Sequence, residues 1–170
     1  MRVSIAKIKA NPLSALDFSL TEEVAADSYG YREFSVSGPL TVSGRLQNSG
    51  DGSFSADLSW SGEIAQQCGR CGKLFSYPVE GRAETRFTLA DTADAEGEDQ
   101  LWPIREDQAD VAEAVLNEIW FRCPMQPLCR PDCRGLCPVC GIDLNQESCS
   151  CGKDDIDPRW EKLKNLKFEQ

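Results

Sequence analysis

Eight of the nine cysteines in this chain fall in four close pairs, Cys68/Cys71, Cys129/Cys133, Cys137/Cys140 and Cys149/Cys151, and the chain has no histidine. A structural zinc takes four ligands in a tetrahedron, usually as two closely spaced pairs from two turns of backbone. Four such pairs make two ligand sets, with Cys123 left over. In a secreted mini-protein the same cysteines would suggest disulfides. The stretch MRVSIAKIKANPLSALDFSL alternates apolar and charged residues, unlike a secretory signal. No apolar run approaches the length that spans a bilayer. The expectation is a cytoplasmic, reducing setting, where paired cysteines more often hold metal.

The pairs group by proximity. In Cys137-Pro138-Val139-Cys140-Gly141 the two-residue spacer and the following glycine let the backbone turn around an ion. Cys149 and Cys151 follow after eight residues, so Cys137, Cys140, Cys149 and Cys151 are expected to close locally as site 2. Cys68, Cys71, Cys129 and Cys133 are then left to each other as site 1. That grouping needs a helix to carry the later pair back to the earlier one. Cys123 reads as a buried free thiol.

Two zinc ions held by cysteine alone are the expected cofactors. Iron–sulfur ligation also uses four thiolates and stays open. A thiol redox centre at Cys68/Cys71 stays open too, although its usual helix N-terminal context is not visible. Sites built only of thiolates leave no open position to activate water. Without histidine there is no Ser-His or Cys-His pair, and no phosphate-cradling glycine loop is present. Asp154, Asp155 and Asp157 read as capping and solvated groups. The chain is therefore expected not to be an enzyme and to take no small-molecule substrate.

The fold class expected is α+β: an antiparallel β-meander packed by one helix, followed by a cysteine-rich zinc-ribbon-like segment and a terminal helix. Val3–Ile8 reads as a short strand, with an irregular segment and an Asn11-Pro12 turn after it. Phe34, Val36, Leu40, Val42 and Leu46, then Phe54, Ala56 and Leu58, then Phe87 and Leu89 show the strand period. They predict strands near 33–47, 53–67 and 73–90, with Cys68 and Cys71 at the second hairpin tip. Residues 107–121 predict a helix: Val111, Val115 and Ile119 share a face, flanked by Ala112, Leu116 and Trp120. Pro124 should end it. The expected division is a β-rich body, 1–122, and a metal-binding tail, 123–170, whose last helix starts at Asp157 and Pro158.

Charge is polarised. The formal net charge is −10, and from Asp91 to Glu113 nine acids face Arg105 alone. From Phe121 onward eight bases balance eight acids. The acidic stretch suits a solvated linker or a basic partner.

These motifs together carry a resemblance. CGRCGKLFSYPVEG, an acidic stretch, a helix leading to PMQPLC, then DCRGLCPVCGIDLN, CSCG and IDPRWEKLKNLKF resemble the YceD family, from about Cys68 to Lys167. The family is known as the large ribosomal RNA subunit accumulation proteins. The resemblance implies a non-enzymatic factor in ribosome biogenesis and rRNA processing, supporting 23S rRNA accumulation and large-subunit assembly. It implies as partners the large-subunit precursor, its 23S rRNA or a basic ribosomal protein such as L32, beside whose gene family members commonly lie. Some members keep the pair matching Cys68/Cys71 and lack the cysteines matching site 2, which suggests two separate sites. The family supplies no settled RNA contacts. From their charge alone, Arg130, Arg134, Lys153 and Arg159 are candidate contacts to RNA or a partner.

Overall fold

A computed structural model describes residues 1–89 and 101–151. These residues are mostly β, with one α-helix. The strands are β1 (Arg2–Ser4), β2 (Ala15–Glu23), β3 (Ser35–Val36), β4 (Pro39–Asn48), β5 (Ser53–Gln67), β6 (Leu74–Leu89), β7 (Leu101–Arg105) and β8 (Gln108–Asp110). The helix, α1, spans Val111–Arg122.

One sheet runs in the order β1-β8-β7-β6-β5-β4-β2, with β3 pairing β5 off that path. The long strands follow directly from period-2 patterning, which puts alternate side chains on one face. Along β5, Phe54, Ala56, Leu58, Trp60 and Ile64 are all buried, with exposed or half-buried neighbours between most of them. Along β4, Leu40, Val42 and Leu46 do the same. β5 and β6 pair antiparallel from Ser53↔Thr88 to Gln67↔Leu74. The sheet then curls until it nearly closes. The Met1 ammonium, beside one edge, lies 3.5 Å from the Glu22 carboxylate on the opposite edge strand.

Several details differ from the expected meander. β2 occupies a stretch expected to be irregular; Leu16, Phe18 and Leu20 alternate there with Asp17, Ser19 and Thr21, a signal present but unread. The first expected strand divides into β3 and β4 around Gly38, whose φ of +77° breaks the extended run. β1 is shorter than Val3–Ile8, because Ile5 begins a turn that buries Ile5 and Ile8. β7 joins β6 in parallel, which no meander contains.

The helix starts later than residue 107. Glu106 and Asp107 both take positive φ, 52° and 57°, and form the two-residue turn between β7 and β8. Asp110 is the N-cap and its carboxylate accepts from the Ala112 amide at 3.1 Å. α1 ends at Arg122, one residue beyond the expected limit, and Cys123 before Pro124 is extended. Val111, Ala112, Ala114, Val115, Leu116 and Ile119 are buried. Trp120 is not part of that stripe; it stands 41% exposed, edge-on to Phe121. At the C-terminal end of α1 the Arg122 guanidinium lies 5.0 Å over the Trp60 ring and donates to the Arg82 carbonyl at 2.9 Å. Gly81 makes that approach possible: a Cβ there would stand 2.4 Å from Trp60 and 2.7 Å from Arg122.

Asn48 is the one strongly tied polar group at the end of β4. Its buried amide donates to the carbonyls of Ile8 and Lys9 at 2.9 and 3.1 Å, and its oxygen accepts from Gly50 at 2.9 Å. Asn48→Ala removes three hydrogen bonds made by one buried side chain and should cost roughly 1–3 kcal/mol, read as a lowered urea midpoint. An unchanged midpoint would show that water replaces the amide there. Among the described residues, no helix is long and apolar enough to cross a membrane.

Candidate metal centres

The turn between β5 and β6 is a knuckle. The Cys68 amide donates to the Lys73 carbonyl, and the Gly72 amide returns to the Cys68 carbonyl, both at 2.9 Å. The same turn recurs in the tail: Cys137 donates to the Ile142 carbonyl and Gly141 to the Cys137 carbonyl, again at 2.9 Å. Gly72 and Gly141 sit at φ +70° and +75°. The repeated Cys-x-x-Cys-Gly sequence thus builds one local structure twice.

The structure gathers the cysteines into the two groups expected from their spacing. The sulfurs of Cys68, Cys71, Cys129 and Cys133 all lie within 4.8 Å of one another, as do those of Cys137, Cys140, Cys149 and Cys151. Cys68 and Cys133 are 3.9 Å apart and Cys71 and Cys129 are 3.7 Å apart. Four sulfurs placed at zinc–sulfur distance around a tetrahedral ion stand roughly 3.8 Å from one another, so the spacing fits a metal ion. None of the nine cysteines is in a disulfide.

The electrostatics point the same way. The amides of Cys129 and Cys71 donate to the Cys68 sulfur and pull its thiol down to about 6. Cys137 is pulled down to about 6 by the Cys140 and Val139 amides. Their neighbours move up. Burial, then the adjacent thiols, push Cys129 to about 12. The Cys140 thiol, then burial, push Cys151 to about 12. The Lys73 amide favours the Cys71 thiolate, yet burial and the Cys68 and Cys133 thiols outweigh it and raise the group. In each cluster one thiol is thus lowered and two are raised. A bound dication would favour the charged form of the raised thiols, because thiolate is the ligand form.

Site 1 joins the tail to the body. The Gly69 amide donates to the Pro127 carbonyl at 2.8 Å and Arg70 Nη1 to the Cys133 carbonyl at 2.8 Å. The Leu136 amide donates to the Arg70 carbonyl at 3.2 Å. Gly135, at φ +75°, passes so close that a Cβ would meet that carbonyl oxygen at 3.0 Å.

The basic candidates divide. Arg130 is exposed but engaged within the tail, with Nη2 donating to the Asn145 side-chain oxygen at 2.8 Å and Nε 3.4 Å from Asp132. The Arg134 side chain is exposed beside a cleft between the two centres, lined also by Arg70, Leu144, Glu147 and Ser148. Lys153, Arg159 and the expected terminal helix lie outside the described residues, as do residues 91–100 of the acidic stretch. Cys123 is half-buried rather than buried: as the residue that ends α1 it packs on the core's rim, and burial raises its thiol. Arg70 and Asn145 went unnoticed in the sequence. Arg70 could have been singled out as the residue between two ligands, but no spacing marks Asn145.

A mostly β body with one helix, carrying two four-cysteine centres able to hold metal ions, is the class of protein these features define. The chain belongs to the family described as large ribosomal RNA subunit accumulation protein YceD, whose model matches residues 56–167, from β5 through both centres. An uncharacterized protein of Mycobacterium tuberculosis is 35% identical over 105 residues, 58% of this chain and 50% of the relative. The chain thus spans about half the length of that mycobacterial relative. The uncharacterized protein YlbN of Bacillus subtilis is 27% identical over 167 residues, 98% of this chain and 96% of the relative. The chloroplastic large ribosomal RNA subunit accumulation protein YCED homolog 1 of Arabidopsis thaliana is 28% identical over 71 residues, 41% of this chain and 22% of the relative. No solved structure matches the chain.

Proposed function

We propose that this protein is a non-enzymatic ribosome-biogenesis factor that supports accumulation of the 23S rRNA and assembly of the large subunit in the cytoplasm. The observation that carries this reading is the family match over both centres, together with the printed name of its plant relatives. Each centre takes a zinc ion held by four thiolates. Zinc would supply structure only, since four sulfurs leave no position for water. The exposed Arg134, with Lys153 and Arg159 beyond it in sequence, would contact the RNA phosphates or a partner.

A gradient profile of cells depleted of the protein should show fewer large subunits and mature 50S particles, restored by the wild-type chain and not by Cys68→Ser. A normal profile after depletion would overturn the proposal.

A chaperone for a basic ribosomal protein is the second reading, motivated by the acids between 91 and 113. Internal contacts weaken it. Asp107 is held by Lys9 Nζ at 2.6 Å, and Asp110 caps α1 while accepting from the Tyr29 hydroxyl at 3.0 Å. A thiol redox role is weaker still, because Cys68 and Cys71 occupy a hairpin turn and not a helix N-terminus.

A further inference from the structure

Asn145 belongs to the segment between the two cysteine pairs of site 2, yet most of its bonds go to site 1. Its Nδ2 donates to the Cys133 sulfur at 3.5 Å and to the Asp143 carboxylate at 2.7 Å. Its Oδ1 accepts from Arg130 Nη2 and from the Arg134 amide, both at 2.8 Å. An asparagine amide offers two donor hydrogens and two acceptor lone pairs, so every bonding position of this side chain is used. Three of the four partners lie on the loop that presents Cys133. The fourth, Asp143, also accepts from the Asn145 amide at 2.9 Å and fixes the side chain to its own segment.

The backbone repeats the connection. Leu136 and Asp143 form a bridge, and the Leu144 amide donates to the Gly135 carbonyl at 3.0 Å. Leu136 in turn bonds Arg70, which lies between Cys68 and Cys71. Chain closed around one centre is therefore hydrogen-bonded to the ligands of the other.

We propose that the two centres load metal cooperatively, with Asn145 as the positioning residue that couples them: closing site 2 fixes the Asn145 amide, and that amide aims Cys133 at the ion in site 1. This rests on the metal reading above. Partners that orient a ligand from outside the coordination sphere typically change metal affinity about 10–100-fold, and coupling between two sites is reciprocal.

The test is titration of the full chain, stripped of metal, with ¹¹³Cd²⁺, following one cadmium resonance per site. Cys149→Ser should lower site 1 affinity at least tenfold although it touches no site 1 ligand. Asn145→Ala should do the same with all eight ligands present, and should move the site 1 resonance because an N–H···S bond is gone. In a Cys149→Ser background, Asn145→Ala should add less than twofold, since the link is already broken. The helical circular dichroism of α1 reports that each variant is folded. Site 1 affinity within twofold of wild type in both single variants would overturn the coupling and leave two independent metal sites. No cadmium uptake at either site would overturn the metal reading and the coupling with it.

Discussion

Cys68→Ser, or removal of metal by a chelator, should free residues 124–151 from the body while the sheet stays folded. In that segment the buried side chains are Cys133 and Cys137, both of them sulfur ligands. Of its larger apolar side chains, Met125 is 101% exposed, Val139 73% and Leu136 44%, while Leu128, Ile142 and Leu144 are only half-buried. A segment with so little apolar burial cannot offset its own conformational entropy. Structural zinc contributes an apparent binding free energy on the order of 10–16 kcal/mol in small zinc modules, and nothing else among the described tail residues approaches that. The few backbone bonds from Gly69 and Leu136 contribute about 1 kcal/mol each. Trypsin cleavage after the exposed Arg134 should therefore become fast on chelation, and amide exchange across 124–151 should approach that of unfolded chain. Amides of β4 and β5 should stay protected, with a lower urea midpoint because metal no longer favours the folded hairpin. Cys123→Ser should leave metal content at two ions, since that thiol packs against the core and belongs to neither cluster. Unchanged protection of the tail after complete metal removal would sink the claim that sulfur ligation holds it.

What the sequence revealed divides along physical lines. The two four-cysteine groups were legible because ligand chemistry is local: four pairs, each closely spaced, with a glycine freeing the turn after Cys71 and Cys140. The long strands were legible where one face is buried, as in Phe54-Ser55-Ala56-Asp57-Leu58. β2 was less so, because an edge strand is only half covered; Leu16, Phe18 and Leu20 are all partly exposed. The start of α1 was misread because Asp107 and Asp110 both suit a helix N-terminus by composition. Only tertiary pairing decides between them: Ala109 faces Ile104 and Val3, which draws 108–110 into a strand and leaves Asp110 to cap. Parallel pairing of β6 with β7 depends on contacts between distant segments, and no local pattern encodes it. Asn145 was invisible for a similar reason, since its partners are set by how two loops meet.

Phe87→Ala should be the most damaging single change in the body, lowering its stability by about 3–5 kcal/mol. The ring is fully buried, paired across the sheet with Phe54 on β5 and in register with Trp102 on β7. It sits on β6 between an antiparallel neighbour, β5, and a parallel one, β7, so no single loop can relax into the space. Against a total of roughly 5–15 kcal/mol for a domain, such a loss is a large fraction. Phe87→Leu refills much of the volume and should cost clearly less. The β5–β6 hairpin also carries Cys68 and Cys71 at its far end, roughly 40 Å along β6 from Phe87 at strand rise. A purely energetic defect should therefore leave site 1 geometry intact in whatever fraction is folded: Phe87→Ala should still bind two ions at low temperature. Saturating zinc should raise its urea midpoint, as mass action requires of a ligand that binds only the folded hairpin. An unfolding free energy within about 0.5 kcal/mol of wild type would show that Phe87 does not anchor the junction. A folded variant with only one ion would instead mean that the junction and the knuckle are mechanically linked, and that the hairpin transmits strain from the core to site 1.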